Sequence, residues 1–253
     1  MSKDKRPFIL VSNDDGIYSN GIKGLAEVAA EFGDVVIVAP DRQQSAVGHA
    51  ITIEQPLRSQ HLTIDDFDAI SVNGTPADCV KLAHDQLLDR KPDLVLSGIN
   101  HGSNAGINIL YSGTVSAATE GTVLGYPSIA VSCTEYGNDA DLSATQEAAR
   151  RVIRFVLDNG LPKGVTLNVN APAGEFKGIK WARMADSRYV EEYEAREDPF
   201  NRPYYWLTGK FELLDDSTDA DIHILNEGYA SVTPVQYDLT DYELLRKIGE
   251  EDL

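Results

Sequence analysis

The run Phe8-Ile9-Leu10-Val11-Ser12 breaks off at Asn13-Asp14-Asp15-Gly16, and no other stretch limits the fold of this chain so strongly. A short, continuously apolar segment bounded by turn residues reads as a strand covered on both faces, the kind found in a parallel sheet. In open α/β sheets the ligand crevice lies outside the carboxyl ends of the strands, so Asp14 and Asp15 are expected at its mouth. Adjacent carboxylates raise each other's pKa, and a hard divalent cation with oxygen ligands relieves the repulsion. The same residues also suit a polar strand-to-helix turn, with Asp as turn former and Gly at positive φ. This stretch alone supports both readings.

The pattern then repeats. Asn20 can cap a helix to about Phe32, with Ile22, Leu25, Ala26 and Ala29 on one face and Gly33 closing it. Asp34 to Pro40 reads as a second apolar strand, and it ends in the polar loop Asp41 to His49. That loop falls at the same edge of the sheet as the aspartates, which makes Arg42, Ser45 and His49 site candidates beside the simpler roles of turn, cap or solvated residue. Short strands are expected at Ala50 to Pro56 and Ile70 to Asn73. Thr75-Pro76-Ala77-Asp78 starts a helix to about Asp89, with Thr as cap and Pro at the first position. Asp93 to Asn100 then delivers a third polar strand end.

The richest stretch for chemistry runs from Ser97 to Gly106 and on through Tyr111-Ser112-Gly113-Thr114. Glycines alternate with Asn100, Ser103 and Asn104, and Ser112-Gly113-Thr114 opens a helix. Small residues let backbone approach an anion, and the first N–H groups of a helix carry partial positive charge, so this suits a phosphate cradle. It is neither a Walker loop nor a Rossmann G-x-G-x-x-G turn. A glycine-rich connection with a Ser cap reads equally well. Ser128 to Cys133 and Val165 to Pro172 are further strands around a helix from Ser143 to Asn159, which completes a doubly wound α/β pattern.

From about Lys177 the character changes: Trp181, Tyr189, Tyr193, Tyr204, Tyr205 and Trp206 alternate with charges, and a helical period returns only at Tyr242. Arg202 to Leu207 and Tyr229 to Val235 suit hairpins or extended arms. Such a region is either a subunit interface or substrate wall, or a peripheral β subdomain packed on its own chain. No linker separates it, so residues 1–253 read as one unit with a 177–253 extension.

With 40 acidic and 22 basic side chains, net charge −18, the chain opposes nucleic-acid duplexes and anionic membranes as partners. A phosphorylated substrate needs a local positive site, supplied by a metal ion and backbone N–H groups. Cys79 and Cys133 fall in core segments and build neither a disulfide framework nor a zinc site. The charged start leads straight into the first strand, and no apolar run approaches membrane-spanning length, so a cytoplasmic protein is expected.

Taken together, Val11 to Gly16, Ala39 to Ser45, Asn73 to Val80, Ser97 to Asn104 and Tyr111 to Gly121 resemble the SurE family of metal-dependent 5′/3′-nucleotidases. The match continues through Asn201 to Trp206 and Gly228 to Pro234. The resemblance implies a Rossmann-like domain that removes phosphate from nucleoside 5′- and 3′-monophosphates. It also implies one divalent ion, Mg²⁺ or Mn²⁺, held by Asp14, Asp15, Ser45 and Asn100. C-terminal arms exchanged between subunits of a homodimer or homotetramer are implied as well.

On this reading Asn104, Ser112, Gly113 and Thr114 hold phosphate oxygens, and His49 or His101 protonates the leaving ribose oxygen. Two alternatives stay open. Asp14 or Asp15 could act as a nucleophile through an aspartyl-phosphate, or the same groups could sense a nucleotide or metal without turnover.

Overall fold

The computed structural model describes residues 6–137, 139–173 and 176–249. The charged start, residues 1–5, and the last residues of the predicted extension, 250–253, lie outside them. The first half comprises β1 (Phe8–Ser12), α1 (Asn20–Ala30), β2 (Asp34–Pro40), β3 (Ser59–Ile64), β4 (Phe67–Val72), α2 (Pro76–Leu82), β5 (Leu94–His101), α3 (Asn108–Tyr111) and α4 (Gly113–Val123). The second adds β6 (Ser128–Cys133), α5 (Ser143–Asn159), β7 (Val165–Ala171), β8 (Ile179–Trp181), β9 (Ser187–Val190), β10 (Tyr193–Glu197), β11 (Pro203–Leu207), β12 (Lys210–Leu213), α6 (Asp221–Asn226), β13 (Ala230–Gln236) and α7 (Tyr242–Ile248).

Nine strands form one sheet in the order β3-β4-β2-β1-β5-β6-β7-β13-β8. From β4 to β7 the neighbours run parallel, while β3 is antiparallel to β4 and β13 antiparallel to β7. The chain winds outward from β1 through β2 and β4, then crosses back to lay β5 on the other side of β1. The strand order therefore reverses between β1 and β5, which are in register at Ser12 and Ser97, and a crevice opens there by topology alone.

Alternation along each strand explains why these runs are apolar throughout. Ile9 and Val11 point into the core under α1 and α5, together with Ile37, Leu94 and Leu96. Leu10, Val36, Val38 and Val95 point into the opposite core with Cys79 and Val80 of α2 and Ala117 of α4. Both cysteines are buried and free, and burial pushes the Cys79 thiol well up. Gly98 lies at φ +134°, and a Cβ there would collide with the Val131 carbonyl oxygen. Only glycine lets β5 stay against β6 here, where the register shifts between Ser97 and Asn100 and re-aims the strand end.

Several local expectations are corrected. Ser19, one residue earlier than expected, caps α1 by accepting from Ile22 N. The Thr75 cap and its Asp78 partner form a reciprocal capping box, but the helix runs only to Leu82 and passes into one wide turn, Ala83–Leu87. Residues 50–56 form no strand: Thr52 donates to Asp78 and Ala50 O accepts from Thr75, so the segment is spent on the start of α2. The edge strand is instead β3, whose mostly exposed and polar residues hide it from an apolar pattern. Tyr229 to Val235 is not an arm, since β13 pairs with β7 in the main sheet. Residues 203–207 form β11 of the β10–β11 hairpin, every residue of both strands being exposed. Short helices α3 and α6 had no visible period. No helix among the described residues is long and apolar enough to cross a membrane.

Candidate metal and phosphate site

Asp14 and Asp15 follow β1 into a turn fixed by Asn13, whose Nδ2 donates to Gly16 O at 3.0 Å and to Ser19 Oγ at 2.8 Å. The loop after β2 is tied to this turn by two backbone bonds, Ile17 N to Pro40 O and Gln44 N to Asp14 O. Those bonds carry Ser45 to the aspartates. Gln43 completes the arrangement, its Nε2 donating to Ser45 Oγ at 2.9 Å and reaching Asp15 Oδ1 at 3.4 Å.

From the other side of the switch point β5 brings Asn100 and His101. The His101 N–H donates to Asp15 Oδ2 at 3.3 Å, and Asn100 Nδ2 donates to Gly102 O at 2.6 Å, which leaves its Oδ1 for a cation. Asp14, Asp15, Ser45 and Asn100 thus line one cleft of about 650 Å³, together with Asn104 and Ser112. Among the described residues no group of three or more His, Cys, Asp or Glu side chains is placed to hold a metal. A cation here would rest on two carboxylates with a hydroxyl and an amide oxygen, the all-oxygen set that suits Mg²⁺ or Mn²⁺.

The electrostatics fit such an ion. Asp14 is only 5% exposed, and desolvation lifts its carboxyl to about 6, against the Thr114 hydrogen bond that lowers it and with the Asp15 charge raising it further. Asp15 is raised by burial as well, opposed by the His101 N–H. A buried carboxylate beside a half-buried one, with no positive partner, is costly, and a divalent cation reverses the sign of that cost.

The phosphate-cradle residues divide. Asn104 is fixed: its N–H donates to Asn170 Oδ1, its Nδ2 to Ser132 Oγ, and its carbonyl accepts from Asn168. Ser112 caps α4 through Val115 N and lines the cleft. Thr114 does not reach the cleft, and its hydroxyl donates to Asp14 Oδ1. Gly113 allows that approach, since a Cβ there would lie 2.8 Å from Asp14 Cβ and 3.0 Å from its Oδ2. The predicted phosphate contacts at Gly113 and Thr114 are therefore placed behind Asp14.

The two candidate histidines also part company. His49 Nε2 lies 2.8 Å from Glu120 Oε2, whose other oxygen accepts from Lys81 at 2.5 Å. Burial raises the Glu120 carboxyl, but hydrogen bonds from His49 and Lys81 outweigh that and leave it below its usual range. His49 lines neither cavity at the crevice. His101 lines the cleft, and both of its ring nitrogens are buried with no protein partner among the described residues. Arg42 lines a separate, smaller pocket next to the cleft.

Sequence reasoning missed Gln43 and the Asn168–Asn170–Ser132 support of Asn104. The signal was present in Thr166-Leu167-Asn168-Val169-Asn170: asparagines on a strand buried on both faces need protein partners. It also missed Asn108, which accepts from Tyr189 OH at 2.9 Å and joins the cleft to β9.

The sequence model of the family described as Survival protein SurE matches residues 9–191. A 5′-nucleotidase SurE from Christiangramia forsetii is 49% identical over 255 residues, covering 98% of both chains. One from Moorella thermoacetica is 46% identical over 246 residues, 95% of this chain and 94% of its own. The crystal structure of a SurE protein from Aquifex aeolicus superposes with a TM-score of 0.82 at 41% identity, covering 96% of this chain and 98% of that one.

Proposed function

The chain belongs to the Survival protein SurE family, and from that premise we propose that it is a divalent-metal-dependent nucleotidase releasing phosphate from nucleoside 5′-monophosphates, with 3′-monophosphates as further substrates. The observation that carries the reading is the convergence of Asp14, Asp15, Ser45 and Asn100 on one cleft at the switch point. These four would hold one Mg²⁺ or Mn²⁺ per subunit. When bound, the ion polarises the phosphoryl group and lowers the pKa of water at the site.

The chain's own residues do the rest. Asp14 is aimed by Thr114 and Asp15 by the His101 N–H. Asn104 and Ser112 form the wall on which the phosphoryl oxygens rest, and the network behind Asn104 keeps that wall from moving as charge develops. His101 lines the cleft and its buried ring nitrogens have no protein partner among the described residues, so a turn of the ring lets it donate the proton to the leaving ribose oxygen. His49 is committed to Glu120 and holds the loop that carries Ser45.

An aspartyl nucleophile is the weaker reading, because Asp14 is buried and hydrogen-bonded and Asp15 accepts from both His101 and Gln43. A module that binds without turnover uses the same groups and is separated only by assay. The β10–β11 hairpin and α7 form the subunit interface of a homodimer or homotetramer, and the protein acts in the cytoplasm. The test is phosphate release from AMP and GMP by metal-stripped protein: none is expected with EDTA, and Mn²⁺ or Mg²⁺ should restore it. Full activity without metal would remove the assignment of the four ligands.

A further inference from the structure

A second cavity of about 430 Å³ adjoins the metal cleft and shares Asp15, Gln43, His101 and Tyr136 with it. Its outer walls are Tyr18, from the turn before α1, and Arg42, from the loop after β2. We propose that this pocket holds the nucleoside half of the substrate, with Tyr18 and Tyr136 as stacking surfaces and Arg42 as the hydrogen-bond donor to the base. The proposal rests on the nucleotidase reading and assigns it a recognition site.

Three observations lead there. First, His101 forms part of the wall of both cavities, so an ester oxygen that faces it can send its organic group toward the second one. Second, the three side chains assigned to the nucleoside have no polar partner among the described residues. Arg42 has no hydrogen bond or ion pair from its guanidinium among the described residues, and Tyr18 and Tyr136 are 65% and 78% exposed. The main cleft is different: it already takes in the residues proposed for metal and phosphate, and its Tyr189 is bonded to Asn108 and set edge-on against Phe211.

Third, the chemistry suits a base and not a second phosphate. Asp15 and Asp41 flank the pocket against the single cation Arg42, so a further anion meets net negative charge. A planar, neutral base gains from two aromatic surfaces, and a guanidinium pairs with the N7 and O6 acceptors of guanine and with the N7 acceptor of adenine. Its size lies within the range of about 300–1,000 Å³ usual for small-ligand sites. Purine nucleotides are therefore the favoured class.

The pocket can be tested apart from catalysis. Guanosine and adenosine, which carry no phosphate, should bind the wild-type protein in a calorimetric titration more tightly than uridine. Tyr18→Ala and Arg42→Ala should each weaken purine-nucleoside binding about tenfold or more; both side chains lie at the surface, and thermal melting checks that the variants fold. In steady state the preference for GMP over ribose 5-phosphate should fall by a similar factor through KM. Preference retained in both variants overturns the proposal. So does its loss in Tyr111→Ala or Tyr193→Ala instead, which would place the base in the main cleft. If the wild type released phosphate from no ester in Mn²⁺, the nucleotidase reading would fail, while nucleoside binding would still decide the pocket.

Discussion

Thr114 donates its hydroxyl to Asp14 Oδ1 across the junction between the first turn of α4 and the end of β1. The two residues are 100 positions apart in sequence, and Thr114 is fully buried. A threonine at a helix start would ordinarily be read as a phosphate contact or a cap. Here it fixes the orientation of a carboxylate that has lost its water, as outer partners of metal ligands do.

Thr114→Val keeps the branched shape and removes the donor. Asp14 then loses the hydrogen bond that favours its ionised form, so the metal requirement should rise by about 10- to 100-fold, with kcat partly recovered at saturating Mn²⁺. Titrating activity with Mn²⁺ measures this. An unchanged half-saturation point would show that Thr114 does not position Asp14.

Asp14 also ties stability to pH in the metal-free protein. Its folded pKa of about 6 lies above the ordinary 3.8, so the native state binds that proton more tightly than the unfolded chain. The resulting stabilisation is fully present below about pH 4 and is lost as pH rises through 6. Asp14→Asn mimics the protonated form, so at pH 7.5 it should stabilise the metal-free protein by up to about 3 kcal/mol while greatly lowering activity. Urea unfolding of both proteins at pH 4 and 7.5 provides the check, and a gap of equal size at both pH values would refute the linkage. With Mn²⁺ restored to the wild-type protein, rapid quenching with radiolabelled AMP should trap no phosphate on Asp14 or Asp15; an acyl-phosphate there would replace the water mechanism by an aspartyl one.

The β10–β11 hairpin and α7 carry apolar surface that the other described residues leave uncovered. Tyr204 and Trp206 share one face of β11 and are exposed, and no residue of α7 is buried. Large apolar side chains left exposed in such number often mark a surface that meets a partner. The protein should sediment as a dimer or larger at micromolar concentration, and Trp206→Asp should shift it toward smaller species. A wild-type monomer that retains full activity would leave the hairpin as a decoration of its own subunit.

What the sequence determined on its own is local. Apolar runs of period two or of continuous character locate β1, β2, β5, β6 and β7, and the Ser143–Asn159 helix carries its full period and its terminal glycine. Because each parallel strand ends in polar residues at the same edge, their positions bring Asp14, Asp15, the Asp41–His49 loop and the stretch after Ser97 to one edge, and the family resemblance narrows these to Asp14, Asp15, Ser45 and Asn100. The tertiary structure decided what each side chain does there. Which hydroxyl serves Asp14, which histidine is captured by Glu120, and which asparagines brace Asn104 depend on α4 and β7 packing beside strands far away in sequence. The same holds for β13, whose pattern suited an arm until pairing with β7 satisfied its backbone in the sheet. Hydrophobic period is a property of neighbouring residues; the partner of a buried polar group is a property of the whole packing, because desolvation forces each such group to find whatever donor the fold brings within reach.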